Sequence, residues 1–372
     1  MKTKFLLLPL AALVSATSQA SVTLWDTGFP HPVNFNGTDT YLGFSSGNLA
    51  GAPQRWAAMP FRVGAGGVRI DQVDVDWFVV AGSEAVNVNY KIWQRSGLNA
   101  PGALVTEGVL GAFGAGIDDP RVAGTEDWLH QYTGLNITLP AGDYYFTMYG
   151  DIPVNTAANC AWLTGGELQA ADLQWDGMWR SVSYPSPGFV VYNPTNVLPG
   201  AGMTDPLDRW NCCFALKGLP LVETVPVGAV TLVEGESPDG GLAELAASDD
   251  TYYTAFNDSS SLACKIQFDG TTVITTPSQV KFDIEYNVAR GGLAYNVALY
   301  RYSTGTFVSQ NGGVGSTSDQ SVSVTISTNA ANYVGGAGEL SAQIRFNPIN
   351  DEAPAFDGWQ HAVDFAQWTI NL

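Results

Sequence analysis

Positive charge is scarce in this 372-residue chain: 16 Lys and Arg stand against 35 Asp and Glu, a formal net charge of -19. The acidic residues are spread evenly and no Lys/Arg cluster interrupts them, which excludes nucleic acid and anionic membrane as partners, because phosphate binding needs such clusters. Histidine is rarer still. His31, His130 and His361 are too few and too scattered for a metal triad, and His361, beside Trp359, is expected in a loop with a structural role. The four cysteines, Cys160, Cys212, Cys213 and Cys264, form no CxxC pair, so the sequence offers no zinc site. No phosphate-cradling glycine loop is present. Gly43-Phe44-Ser45-Ser46-Gly47 has the G-x-S-x-G spacing of serine hydrolases, but Asn48 to Pro53 cannot open the helix that this motif needs.

Long apolar runs are also missing after the first residues. Lys2 and Lys4 precede an apolar run from Phe5 to Val14, and Ser18-Gln19-Ala20 supplies small residues where a signal peptidase reads. Residues 1–20 are therefore expected to be a signal peptide, and the mature chain a secreted, extracellular protein. No later stretch approaches about 20 uncharged apolar residues, so no membrane insertion is expected. The chain closes on Asn371-Leu372 directly after a strand-like segment, which predicts no sorting tail or lipid anchor. In an exported protein the cysteines are expected to form disulfides. Adjacent Cys212 and Cys213 point to opposite faces of a strand, so at most one meets Cys160; the other meets Cys264, or both stay buried and reduced.

What is abundant is period-two alternation. From Arg69 to Arg95, Val73, Val75, Trp77 and Val79 point one way and Asp74 and Asp76 the other; then Val86, Val88, Tyr90 and Ile92 resume the pattern. This predicts an antiparallel hairpin with Asp74 and Asp76 on its solvent side. Further strands are expected at Ser21 to Trp25, Val105 to Leu110, Leu135 to Leu139, Tyr144 to Tyr149 and Phe214 to Leu216. Beyond a short stiff linker, the same signal recurs at Lys281 to Tyr286, Tyr295 to Tyr300, Val322 to Ile326 and Leu340 to Phe346. The fold class that follows is all-β: two antiparallel β-sandwich (jelly-roll-like) domains in tandem, over residues 21–218 and 227–372, with 219–226 as linker.

Between Gly165 and Trp210 the alternation stops. Trp175, Trp179, Tyr184 and Tyr192 lie there among Gly, Pro, Asp and Asn. Rings in a loop at the end of a sandwich can stack on sugar rings; the alternative is that they fold back to cover its edge. Trp359, in the second half, is a further candidate for ring stacking.

The strings GGLAELAASDDTYYTAF (Gly240 to Phe256), LACKIQF, LYRYSTGTF and NDEAPAFDGWQHAVDFAQW are similar to a C-terminal domain of many bacterial exported proteins of unassigned role. IWQRSGLNAPGALV and LPAGDYYFTMYG resemble a companion β-sandwich of such proteins. Members often end in a membrane-sorting tail. The second half also resembles, in outline, jelly-roll carbohydrate-binding modules whose last strand carries an Asp at a structural calcium site. That likeness implies Asp364, with Asp249 or Asp250, as calcium ligands, loop carbonyls completing the six to eight oxygens. The alternative is that Asp249-Asp250 starts a turn and Asp364 faces solvent.

Three functions fit these features. A non-catalytic binding or cell-surface protein, with a glycan as ligand, predicts an exposed set of aromatics flanked by polar groups. A structural matrix component that contacts surface proteins predicts buried aromatics and an open strand edge. A hydrolase or lyase on polysaccharide predicts a deep cleft with paired carboxylates. No catalytic residue stands out, and the first reading is preferred.

Overall fold

The structure, a computed structural model, describes residues 21–27, 55–79, 87–96, 100–114, 116, 129–152, 211–349 and 358–372. It also gives the strand pairings of short segments at 33–35, 38–40, 43–45, 47–49, 160–166, 178–181, 190–191 and 203–204. It is all-β: two antiparallel β-sandwiches in tandem. Among the described residues no helix is long and apolar enough to cross a membrane.

The first sandwich contains β1 (Val22–Asp26), β2 (Arg55–Val63), β3 (Val68–Val79), β4 (Asn87–Arg95), β5 (Pro101–Ala112), β6 (Leu129–Leu139), β7 (Gly142–Ile152) and β8 (Phe214–Pro220). In one sheet β3 is flanked by β6 and by β8, which in turn pairs with β1. In the other, the order runs β2, β7, β4, β5. Met59, Phe61, Val73, Val75, Trp77, Val88, Ile92, Phe146 and Phe214 meet between the sheets.

The expected hairpin is not formed. β3 and β4 belong to facing sheets, and β4 pairs with β7 and β5 instead. Both strands show a strict alternation because each turns one face to the shared core, and a half-buried face does not specify the hydrogen-bonding neighbour. The solvent-side assignment of Asp74 and Asp76 is also corrected: they are 5% and 1% exposed. Side chains from the strands on either side of β3 close over Asp74. Asp74 accepts hydrogen bonds from Gln72 Nε2 at 2.6 Å and Gln131 Nε2 at 3.3 Å, and Lys217 Nζ lies 2.5 Å away. That set compensates the charge whose burial alone would be costly.

The second sandwich contains β9 (Val222–Pro226), β10 (Ala229–Glu234), β11 (Glu236–Asp239), β12 (Tyr253–Phe256), β13 (Cys264–Thr271), β14 (Gln279–Val288), β15 (Leu293–Arg301), β16 (Thr306–Val314), β17 (Gln320–Ile326), β18 (Glu339–Pro348) and β19 (Gln360–Asn371). One sheet runs β11, β12, β19, β14, β17, with β9 also on β19; the other runs β10, β13, β18, β15, β16. Phe268, Phe282, Tyr286, Phe346 and Trp368 fill the space between them. The 219–226 stretch is strand and not free linker. β8 runs to Pro220, Leu221 N–H donates to Gly67 O, and Val222 to Pro226 pair with Asn371 to Gln367.

Candidate functional site

The outer face of the five-stranded sheet is built by the same alternation that builds the core. Ile266, Phe268, Ala342, Ile344, Val297 and Leu299 point inward. Their neighbours along the strands must point outward, and they arrange in rows set by the register. Lys265 lies opposite Arg345, Gln267 opposite Gln343, Asp269 opposite Ser341 and Thr271 opposite Glu339. The face therefore grades from cationic at one end, through amides, to anionic at the other.

At the anionic end stands a group of rings. Tyr300 lies opposite Phe307 across the β15–β16 hairpin, with centroids 5.0 Å apart, and Tyr302 meets Tyr300 edge-on at 4.8 Å. All three are half-buried, leaving ring surface open. The hairpin is short because Thr304 and Gly305 N–H both return to Arg301 O, and Gly305 adopts φ +69°, a conformation that side chains disfavour.

Tyr302 forms one wall of a groove of about 640 Å³, whose other walls include Val225, Pro226, Asp269, Thr271 and Glu339. Burial, then the neighbouring Glu339 and Asp269 carboxylates, push the Tyr302 hydroxyl pKa up to about 12. The acids are held in place: Gln267 Nε2 donates to both Asp269 oxygens at 3.0 Å, and Ala337 N–H donates to Glu339 Oε2 at 2.9 Å. Gln343 Nε2 donates in turn to Gln267 Oε1 at 2.9 Å. Gly338, at φ +88°, makes the turn into Glu339; a Cβ there would lie 2.0 Å from Thr272 O. Together these groups offer a ring face, fixed hydrogen-bond acceptors and a threonine hydroxyl along one groove.

A second, shallower groove of about 280 Å³ crosses the opposite sheet, lined by Ser248, Asp283, Glu285, Ser321, Ser323 and Phe365. Its Asp283 is already paired with Lys281 Nζ at 2.9 Å and bonded by the Ser323 hydroxyl.

The residues named from sequence are placed differently. Trp175, Tyr184 and Tyr192 lie outside the described residues, as does the Trp179 side chain, although its strand, Met178–Ser181, pairs with β2. Trp359, expected to offer a ring to a sugar, is 4% exposed and sits edge-on to His361 at 4.7 Å. Asn257 Oδ1 accepts its backbone N–H at 3.0 Å, which fixes the ring in the core. His361 is in β19 and not in a loop. It packs on Phe346 at 4.2 Å with no partner for either ring nitrogen, and burial lowers its pKa to about 3. The suggested link between Cys264 and another cysteine is not made: Cys264 is a free, buried thiol whose pKa rises to about 12, burial first and the Glu234 charge second. The Cys160 side chain lies outside the described residues.

Asp364 does meet Asp249 and Asp250, but through their backbones. Its two oxygens accept the N–H groups of Asp249 at 3.3 Å and Asp250 at 3.4 Å. It occupies a bulge of β19 opposite Glu285/Tyr286 and is 1% exposed, so the alternative of a solvent-facing Asp364 is corrected as well. Burial raises its pKa, the Glu285 and Asp249 charges add to that, and the two N–H bonds oppose it. Among the described residues no three acidic, His or Cys groups are placed to hold a metal ion.

The rings that structure brings to the surface, Tyr300, Tyr302 and Phe307, were not singled out as ligands from sequence. A signal for them existed: a strand carrying Tyr300 enters a tight turn at Tyr302, and that turn returns Phe307 beside them.

No family model matches this chain, and no curated protein matches it either. Among solved structures it is similar to the N-terminal CBM22-1–CBM22-2 tandem domain of Paenibacillus barcinonensis Xyn10C, at 11% identity and TM-score 0.30, covering 95% of this chain and 99% of that one. A Paenibacillus xanthan lyase is similar at 12% identity and TM-score 0.29, covering 92% of this chain and 26% of that one. The infectious bursal disease virus Gx strain is similar at 9% identity and TM-score 0.26, covering 95% of this chain and 73% of that one. A binding module, a lyase and a virus match equally well, so these likenesses assign neither ligand nor activity.

Proposed function

We propose that this is an exported, non-catalytic glycan-binding protein, and that its recognition surface is the ring-and-acid groove that Tyr302, Asp269 and Glu339 line together with Val225 and Pro226 of the other sheet. The observation that carries the reading is Tyr302, which belongs to the Tyr300–Tyr302–Phe307 ring cluster and lines one groove with Asp269 and Glu339. A sugar ring has an apolar C–H face for aromatic contact and an equatorial fringe of hydroxyls for carboxylate and amide acceptors. The two acids are held by amide donors, an arrangement suited to accepting hydroxyl protons from a bound ligand. Export rests on the leader-like residues 1–20. The test is a glycan array followed by titration of the best ligand. Tyr302→Ala and Tyr300→Ala should each weaken binding by about tenfold, the loss of one ring contact. If no glycan is bound, the reading fails.

A second reading, a matrix component that assembles with its own copies, is favoured by the edge strand β5. Leu104 and Val105 are each 42% exposed and Val109 57%. The acid among them, Glu107, is neutralised by Lys91. An edge with exposed apolar side chains and little charge is open to pairing with a second strand.

A further inference from the structure

Inside this molecule one set of rings already shows what it accepts. Lys91 Nζ lies 5.2 Å from the Trp56 ring centroid, 5.9 Å from Trp93 and 5.8 Å from Tyr149, with Glu107 as counter-ion. The groove at Tyr302 repeats those ingredients, a tyrosine ring and carboxylates, with two acids in place of one. None of the residues lining it is a cation; Arg301, next in sequence to Tyr302, is not among them. The cations of this sheet face, Lys265 and Arg345, sit at its far end and are tied to Glu234 at 3.7 Å and 3.3 Å. Asp269 lies four residue steps along the strand from Lys265, roughly 13 Å. Directly opposite Asp269, on the same face, Ser341 is 8% exposed and its Oγ has no hydrogen-bond partner.

The geometry points to a ligand that brings the missing positive charge: the groove at Tyr302, Asp269 and Glu339 selects a glycan carrying free primary amines over its N-acetylated or all-hydroxyl counterpart. This deepens the glycan reading and rests on it. An ammonium set against Tyr302 gains the attraction of the ring quadrupole and of both carboxylates, while acetylation removes the charge. The overall charge of -19 adds long-range attraction in the same sense.

The experiment titrates the purified protein with three β-1,4-linked hexasaccharides: glucosamine, N-acetylglucosamine and glucose. It is run at a pH where the amine is protonated, at low and at high salt. The glucosamine hexamer should bind roughly tenfold more tightly than the other two. The advantage should shrink with salt. Asp269→Asn and Glu339→Gln should each reduce the preference severalfold without moving the thermal unfolding midpoint. Equal affinity for all three hexamers overturns this inference and leaves the glycan reading standing. A preference that both carboxylate variants retain also overturns it. No binding to any glycan in the hexamers or the array removes both. Should a variant unfold, the three-way comparison on the unaltered protein decides alone.

Discussion

The two sandwiches use aromatic residues in opposite ways. In the first, rings outside the core close over the protein's own Lys91, and Trp93 Nε1 is occupied by Thr147 Oγ1 at 3.1 Å. In the second, Trp368, Phe282 and Tyr286 are sealed in the core, while Tyr300, Tyr302 and Phe307 stand beside an acidic groove without a cation. The difference teaches where to look for recognition. A ring whose contacts are satisfied from within contributes to stability, and one whose partners are missing is available to a ligand.

The comparison can be broken most forcefully in the cores. Trp368 is fully buried and packs on Phe282 at 4.9 Å. Trp368→Ala should cost about 3–5 kcal/mol in denaturant unfolding, whereas Tyr302→Ala should stay within roughly 0.5 kcal/mol of the unaltered protein. Similar costs for both would mean that Tyr302 is a core residue. Acid comes next. His361 is buried neutral with a pKa near 3 against 6.5 when unfolded, so the native state resists taking the proton. Its contribution is fully present above pH 6.5 and is lost as pH falls toward 3, at about 1.4 kcal/mol per unit. His361→Phe should flatten that slope in an acid-unfolding series. An unchanged slope would show that another group controls it. His130 in the first sandwich, its pKa also lowered by burial, should leave a residual dependence of the same sign.

A smaller effect separates the two ring clusters themselves. Lys91→Met removes the ammonium from the Trp56–Trp93–Tyr149 box and should destabilise the protein by about 1–2 kcal/mol, through lost ring attraction. The denaturant midpoint measures this, and a stabilised variant would show that the box does not favour the cation. The smallest effect on stability is expected at the open edge. Val109→Lys should change unfolding by under about 0.5 kcal/mol. If copies assemble through β5, sedimentation should show a concentration-dependent species that this charge abolishes. A monomer at every concentration removes the assembly reading.

Much of the architecture was legible in the sequence. Val73, Val75, Val88 and Ile92 declared their strands by alternation, and so did Phe282, Ile284 and Tyr286; all of these are core residues. The candidate site was far less legible. Trp359 looked displayable because it lies among Asp, Gly and Gln, yet a backbone contact with Asn257 draws it inward. Asp74 and Asp76 looked solvated because they alternate with valines, yet both are buried, and Gln131 and Lys217 from the neighbouring strands close over Asp74. Asp364 lies beside Asp249 and Asp250, and the groups that meet its oxygens are their amide N–H groups, which residue types cannot reveal.

By itself, then, the sequence determined that the chain is acidic, strand-built and two-faced along most of its strands, because side-chain period and charge are local properties. Only the tertiary structure decided which strand lies beside which, and so which second face is covered and which is open. That is why β3 and β4 ended in facing sheets. It is also why Tyr300, Tyr302 and Phe307 stand together, with Tyr302 lining the groove of Asp269 and Glu339. Neighbours across a sheet come from residues far apart in sequence, and register alone sets the company that each side chain keeps.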